Sequence, residues 1–254
     1  MLSKINRFKK NRKSKKNSRI KKAGANAESS KIKSLKNLSF NYIKSQHKIN
    51  NSKSLFRDYL STKFRIPINH PYIYILINIR TDEDINNAVS LWCNNPEDAE
   101  VQYGHISDWD TSRVTNMKYL FYEKNDFNDD IRRWDVSSVT NMSFMFRNAG
   151  NFNNGDLLGQ SNNPLTWDVS NVTNMNGMFT FAKSFNQNIG QWDVSKVTDM
   201  ALMFWKATSF NQDINTKIIT RIDDSSYKAW DVSKVTNMYS MFNNCPINIP
   251  DWYP

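Results

Sequence analysis

Three histidines, two cysteines and seven glycines leave this 254-residue chain short of the groups on which most catalytic and metal sites rest. His47, His70 and His105 have no metal-type partner at short spacing, which argues against a zinc site of the usual kind. The glycines build no phosphate-cradling loop, no dinucleotide fingerprint and no G-x-S-x-G turn. They also lack the ligand spacing of calcium-binding repeats. Asp and Ser are plentiful, but as recurring scaffold letters rather than one converging set. We therefore expect no catalytic residue, no metal and no cofactor, and read the chain as a non-enzyme. Long apolar runs are missing as well: the longest, 72–79, is broken by Asn78 and is far shorter than the roughly 18 residues of a membrane span. No apolar stretch follows the first charges as it does in a secretory leader, so the expected setting is intracellular or particle-associated.

Acidic residues are nearly absent from the first quarter. Residues 1–65 carry 20 Lys or Arg against Glu28 and Asp58, a net +18, whereas residues 66–254 carry 14 basic and 22 acidic residues, a net −8. Residues 1–37 are too polar and too self-repelling to bury a core and read as a disordered basic arm. Its lysine pairs suit nucleic acid, an anionic membrane surface or a targeting signal, and equally a merely solvated tail. Residues 38–70 read as a linker with a helical stretch around Leu55, Tyr59 and Leu60. Residues 71–108 read as an N-terminal cap: a strand over 72–79, then a helix with apolar positions Ile85, Ala88, Val89 and Trp92, opened by Thr81 and Asp84 in capping-box spacing.

What the rest has in abundance is one phrase. WDVSKVTNM at 230–238 recurs as WDTSRVTNM from Trp109, WDVSSVTNM from Trp134, WDVSNVTNM from Trp167 and WDVSKVTDM from Trp192. Each block is followed by Leu-Phe or Met-Phe, and four copies then add Phe-Asn at Phe127, Phe152, Phe185 and Phe210. A fixed period of about 25 residues marks a solenoid in which each unit covers its neighbour's apolar face. Within one unit, Trp134 and Val136 alternate with polar residues as in a short strand, and Met142, Met145, Phe146 and Ala149 follow the stripe of a short helix. The expected core is the column Trp109, Trp134, Trp167, Trp192 and Trp230 with Met117, Met142, Met175, Met200 and Met238 and with Phe121, Phe146, Phe179, Phe204 and Phe242. Residues 109–254 thus hold about five repeats and a truncated last unit ending on Trp252.

The string W-D-V-S-x-V-T-N-M followed by M-F and F-N-x-x-I is similar to the BspA-like leucine-rich repeats, also described as a mycoplasma-type repeat. That resemblance implies an α/β, leucine-rich-repeat-like solenoid of short strands and short helices. It also implies a protein-binding or surface-recognition role without catalysis, since members are mostly described as surface or secreted interaction proteins. The resulting expectation is a repeat scaffold that recognises another protein or a surface macromolecule. Its alternatives are an adhesin-like cell-surface protein exported without a classical signal and a nucleic-acid-associated protein that binds through its basic arm.

Two columns of polar residues need a structural or a ligand role. Asp110, Asp135, Asp168, Asp193 and Asp231 share one repeat position, and so do Asn116, Asn141, Asn174, Asp199 and Asn237. Local turns that take up backbone N–H groups account for both without a metal. The period breaks twice, after the second and fourth repeats, by insertions at 154–166 and 215–229 that enter the unit at one phase. Insertions at a shared phase leave a solenoid on the same side. The second carries Ile218, Ile219, Arg221 and Tyr227, a mixture suited to gripping a partner. Cys93 and Cys245 lie near opposite ends of the repeats, on the order of 20 Å apart at about 5 Å per coil, so no disulfide is expected.

Overall fold

Two residues per repeat, four apart, have positive φ, and they set the shape of its second half: Tyr119 and Glu123, Phe144 and Asn148, Gly177 and Phe181, Leu202 and Lys206, Ser240 and Asn244. A computed structural model describes residues 78–157 and 163–254. The basic arm, the linker, the strand expected over 72–77, His47 and His70, and residues 158–162 of the first insertion lie outside the described residues.

The short helix expected in each repeat is not formed. Met145 N–H donates to the Met142 carbonyl, Arg147 to Phe144 and Ala149 to Phe146, a run of i to i−3 turns rather than i−4 bonds. The intervening N–H groups point out of the coil: Met142, Phe144, Phe146 and Asn148 donate to Asn174, Asn176, Met178 and Thr180 of the next repeat at 2.8–2.9 Å. The same four-rung ladder joins every successive pair of repeats, the last through Met200, Leu202, Phe204 and Lys206 to Asn237, Tyr239, Met241 and Asn243. Spacing explains the failure of the helix. The Phe121, Phe146, Phe179, Phe204 and Phe242 rings stack at 5.3–5.7 Å from one repeat to the next, whereas packed helices need about 8–10 Å between axes. A turn ribbon buries the same stripe at half that spacing.

The strands expected at Trp-Asp-Val-Ser are also largely missing. Only the first copy forms one, β2 (Asp110–Arg113), paired in parallel with β1 (Ile79–Thr81). In the copies at Asp135, Asp168, Asp193 and Asp231 the carboxylate takes the N–H of the serine two residues on. The same Asx turn forms at Asp110 in the first copy, so it satisfies the serine N–H in every copy without deciding which copy pairs. Isolated parallel bridges between adjacent repeats fall at the column Asn116, Asn141, Asn174, Asp199 and Asn237.

Trp109, Trp134, Trp167, Trp192 and Trp230 are all buried, and each indole N–H donates to a carbonyl before it in the chain, Trp134 to Ile106, Trp167 to Ile131, Trp192 to Leu165 and Trp230 to Ile189. A buried indole N–H without such a partner would be costly. A second column of rings, Phe127, Phe152, Phe185 and Phe210, stacks at 5.6–6.0 Å beside the first. Met117, Met142, Met175 and Met200 are fully buried, while Met238 in the last repeat is only half-buried. Trp252 closes the series by stacking on Trp230 at 5.8 Å.

At the other end, α1 (Ile85–Asn94) buries Ile85, Ala88, Val89 and Trp92. Its start differs from the sequence expectation. Asp84 does accept the Thr81 N–H at 2.8 Å, but Thr81 is the buried last residue of β1, its hydroxyl has no partner, and the helix begins only after Asp84. A further helix, α2 (Pro96–Tyr103), starts at once because Asn95 caps the Asp98 N–H and Pro96 fits the first turn. The first repeat is fastened at two points, where Asp82 in the turn before α1 accepts the Thr115 and Asn116 N–H groups and where the Trp92 indole of α1 donates to Asp129.

Gly177 offers a test of the ribbon. Its sister positions hold Tyr119, Phe144 and Leu202 at the same positive φ, so the backbone tolerates a side chain there, but a Cβ at 177 would run into the Phe144 ring. Gly177→Leu is expected to cost about 1–3 kcal/mol in a urea titration. Adding Phe144→Ala should recover part of the loss rather than deepen it.

Candidate functional site

The insertion at 215–229 folds as an antiparallel hairpin, β3 (Lys217–Thr220) and β4 (Ser226–Ala229), with Ile219 opposite Tyr227 and Ile218 opposite Lys228. Alternation along a strand sends neighbours to opposite faces. Ile219, Tyr227 and Ala229 turn toward the repeats, while Ile218 is 67% exposed and Ile222 at the tip is fully exposed. The inner face is pinned. Tyr227 Oη donates to the Gln191 carbonyl at 2.6 Å, and the Arg221 guanidinium lies 4.1 Å above the Tyr227 ring and 3.8 Å from Asp193. That ion pair is partly solvated and contributes at most about 1 kcal/mol. Burial pushes the Tyr227 phenol above its ordinary value, Asp193 and Asp168 add to that, and Arg221 opposes it.

The hairpin thereby leans back over the two preceding repeats. Between it and them lies a cleft of about 200 Å³ lined by Thr166, Asp168, Gln191, Asp193, Arg221 and Tyr227 among others. Thr166 is the last residue of the first insertion, so both insertions contribute to one cleft. The base of the first insertion is held by reciprocal side-chain to main-chain bonds between Asn154 and Asn163, and Leu157 is exposed.

Of the four residues singled out in the sequence, Ile219, Arg221 and Tyr227 come together on the inner face and Ile218 points away from them. Ile222 was missed, although it continues the run that begins with Ile218 and Ile219. The Asn column accepts the N–H two residues on at Lys118, Ser143, Asn176, Ala201 and Tyr239. The Asn of the Phe-Asn pair was also missed: Asn128, Asn153 and Asn186 each accept an N–H from the following repeat, at Asn153, Asn186 and Asn211. Among the described residues no three His, Cys, Asp or Glu side chains are grouped to hold a metal ion. Cys93 and Cys245 are free thiols, and burial pushes Cys93 up to about 11, with Lys124 opposing, which leaves it protonated and weakly nucleophilic.

Residues 93–163 and 161–245 match the sequence model of a family described as Mycoplasma protein of unknown function, DUF285. No curated protein and no solved structure matches the chain.

Proposed function

The chain belongs to that Mycoplasma repeat family, and from there we propose that it is a non-enzymatic recognition scaffold. In this reading the repeats form a leucine-rich-repeat-like solenoid related to the BspA-like repeats, and the side carrying the two insertions grips another protein. The hairpin carries the proposal. Its inner face is fastened by Tyr227 and Arg221 while Ile218 and Ile222 are held outward in water. A neutral insertion would have no need to hold two large aliphatic side chains on a braced two-stranded support; exposed apolar groups on a rigid base are what a partner's surface can bury. Preorganisation of this kind lowers the ordering cost of binding.

The test uses the full chain with affinity capture from its own cells, followed by direct titration of the purified captured protein. Ile218→Asp with Ile222→Asp should leave the melting temperature within a few degrees and weaken that binding by roughly 30-fold or more, about 2 kcal/mol as for central interface anchors. Unchanged affinity would remove the hairpin from the interface. An affinity that instead collapses steeply with salt would assign recognition to the basic arm.

A further inference from the structure

The cleft under the hairpin carries more negative than positive charge. Its charged lining is Asp168, Asp193 and Arg221, two carboxylates against one guanidinium. The carboxylates hold one repeat position in successive repeats, whose chains run at ladder spacing, roughly 5 Å. Asp168 is bonded differently from its sisters in the first two repeats. Asp110 and Asp135 each accept both the N–H and the hydroxyl of the serine two residues on, the hydroxyl at 2.6 Å. Asp168 accepts only the Ser170 N–H, which leaves its Oδ2 without a partner among the described residues. Asp193 accepts the Ser195 N–H, and its Oδ2 lies 3.8 Å from Arg221, too far for a hydrogen bond. A second hollow of about 720 Å³ adjoins the cleft. It shares Gln191, Arg221 and Tyr227 with the cleft and is lined by Ile219 and Ile222 toward the hairpin tip.

We propose that the cleft takes one cationic side chain, an arginine of the protein that the hairpin grips; this rests on the hairpin's role as a recognition surface and names the chemistry it selects. A second cation between Asp168 and Asp193 would balance the charge of the cleft and give Asp168 Oδ2 its missing donor. A guanidinium suits the place because its planar fork can reach acceptors on two neighbouring repeats at once, whereas an ammonium acts as a point charge. Two carboxylates are too few to hold a divalent metal, and among the described residues no group of three His, Cys, Asp or Glu stands anywhere. The adjoining hollow offers Ile219 and Ile222 to the aliphatic stem, so a partner that buries the hairpin tip brings its arginine to the cleft.

The probe is Nα-acetyl-arginine methylamide, titrated into the full chain at low salt while the backbone amides of Gln191, Asp193 and Arg221 are followed by NMR. Saturable shifts centred on these residues are expected, with a roughly millimolar Kd for a ligand of this size. Nα-acetyl-citrulline methylamide, nearly the same shape without the charge, should produce none. Asp168→Asn keeps an oxygen for the Ser170 N–H and removes the charge, so it should leave the melting temperature unchanged and weaken the probe by about threefold to fivefold. The proposal is overturned if the arginine probe gives no saturable shift, if the citrulline probe matches it, if Asp168→Asn binds it as well as the unaltered chain does, or if calcium saturates the same amides more tightly. The cleft and the hairpin surface fail separately, because Ile218 lies on the other face of the hairpin. Partner binding lost in Ile218→Asp with Ile222→Asp, alongside a cleft that ignores the probe, would keep the interface and remove the arginine. A cleft that binds the probe in a chain whose partner affinity survives those two substitutions would keep the cation site and remove the hairpin tip.

Discussion

Trp167→Ala is expected to lower the free energy of unfolding by about 3–5 kcal/mol, the usual cost of removing a buried tryptophan, and Trp252→Ala by clearly less. Trp167 is 4% exposed, stacks on Trp192 at 6.4 Å and donates its indole N–H to Ile131. It therefore loses partners in the repeats on both sides, and the stability of a repeat array is a sum over units and interfaces. Trp252 is half-buried and stacks on one repeat tryptophan, Trp230, at the end of the column. Urea titrations of the two variants decide the matter. Equal losses would mean that tryptophans do not gain from being enclosed between repeats.

Arg80→Ala should cost a similar amount, about 3–5 kcal/mol, because it breaks a buried ion pair and leaves its partner uncompensated. The Arg80 side chain has no exposure. Its Nη1 lies 2.9 Å from Asp84 Oδ2, and its guanidinium sits 4.8 Å from the Tyr103 ring centre and 5.1 Å from that of Trp109. Burial pulls its pKa below the ordinary arginine value, and the Asp84 carboxylate pulls it back. Lysine cannot reproduce the planar fork or the ring contacts, so Arg80→Lys should recover only part of the loss. Since the arginine ties β1 and α1 to the Trp109 end, hydrogen exchange in Arg80→Ala should quicken at Met117 and Phe121 before it does at Met200 and Phe204. Uniform quickening would show that the repeats unfold as one unit.

Much of this molecule is legible in its sequence because a repeat writes its packing several times over. The recurrence of Trp, Met and Phe at fixed offsets marks the buried columns, and the Asp-x-Ser pairing marks a turn that satisfies its own backbone. The turn ribbon is not legible in the same way. Met142, Met145, Phe146 and Ala149 lie on one stripe in a helix and are buried just as well in the ribbon, and the bonds that choose between them run to residues 32 positions away. Nor do the positive-φ positions announce themselves, since Tyr119, Phe144 and Leu202 occupy sites where glycine would be the usual signal. The hairpin did leave a trace: apolar residues at 218 and 219, a polar Asp-Asp-Ser-Ser turn, then Tyr227. The inward turn of Ile219 and Tyr227, however, is set by Gln191 and Asp193 of the preceding repeat. Arg80 carried no signal, because a lone arginine beside a strand reads as a surface residue until the rings of Tyr103 and Trp109 are brought around it.

The claim that the repeats stack in one register through both insertions is tested most directly by distances along the exposed threonine column. Thr140, Thr173, Thr198 and Thr236 each donate their backbone N–H to the preceding threonine of the column at 2.8–2.9 Å, although those steps span 25, 33, 25 and 38 residues. Spin labels paired at Thr115 with Thr173, Thr198 or Thr236 stand two, three and four steps apart, and pulsed electron resonance should show mean distances rising by about 5 Å per step. An increment across the 38-residue step that matches the one across the 25-residue step supports the continuous stack. A markedly longer or broadened distance to Thr236 would contradict it, because the second insertion would then separate the last repeat from the others.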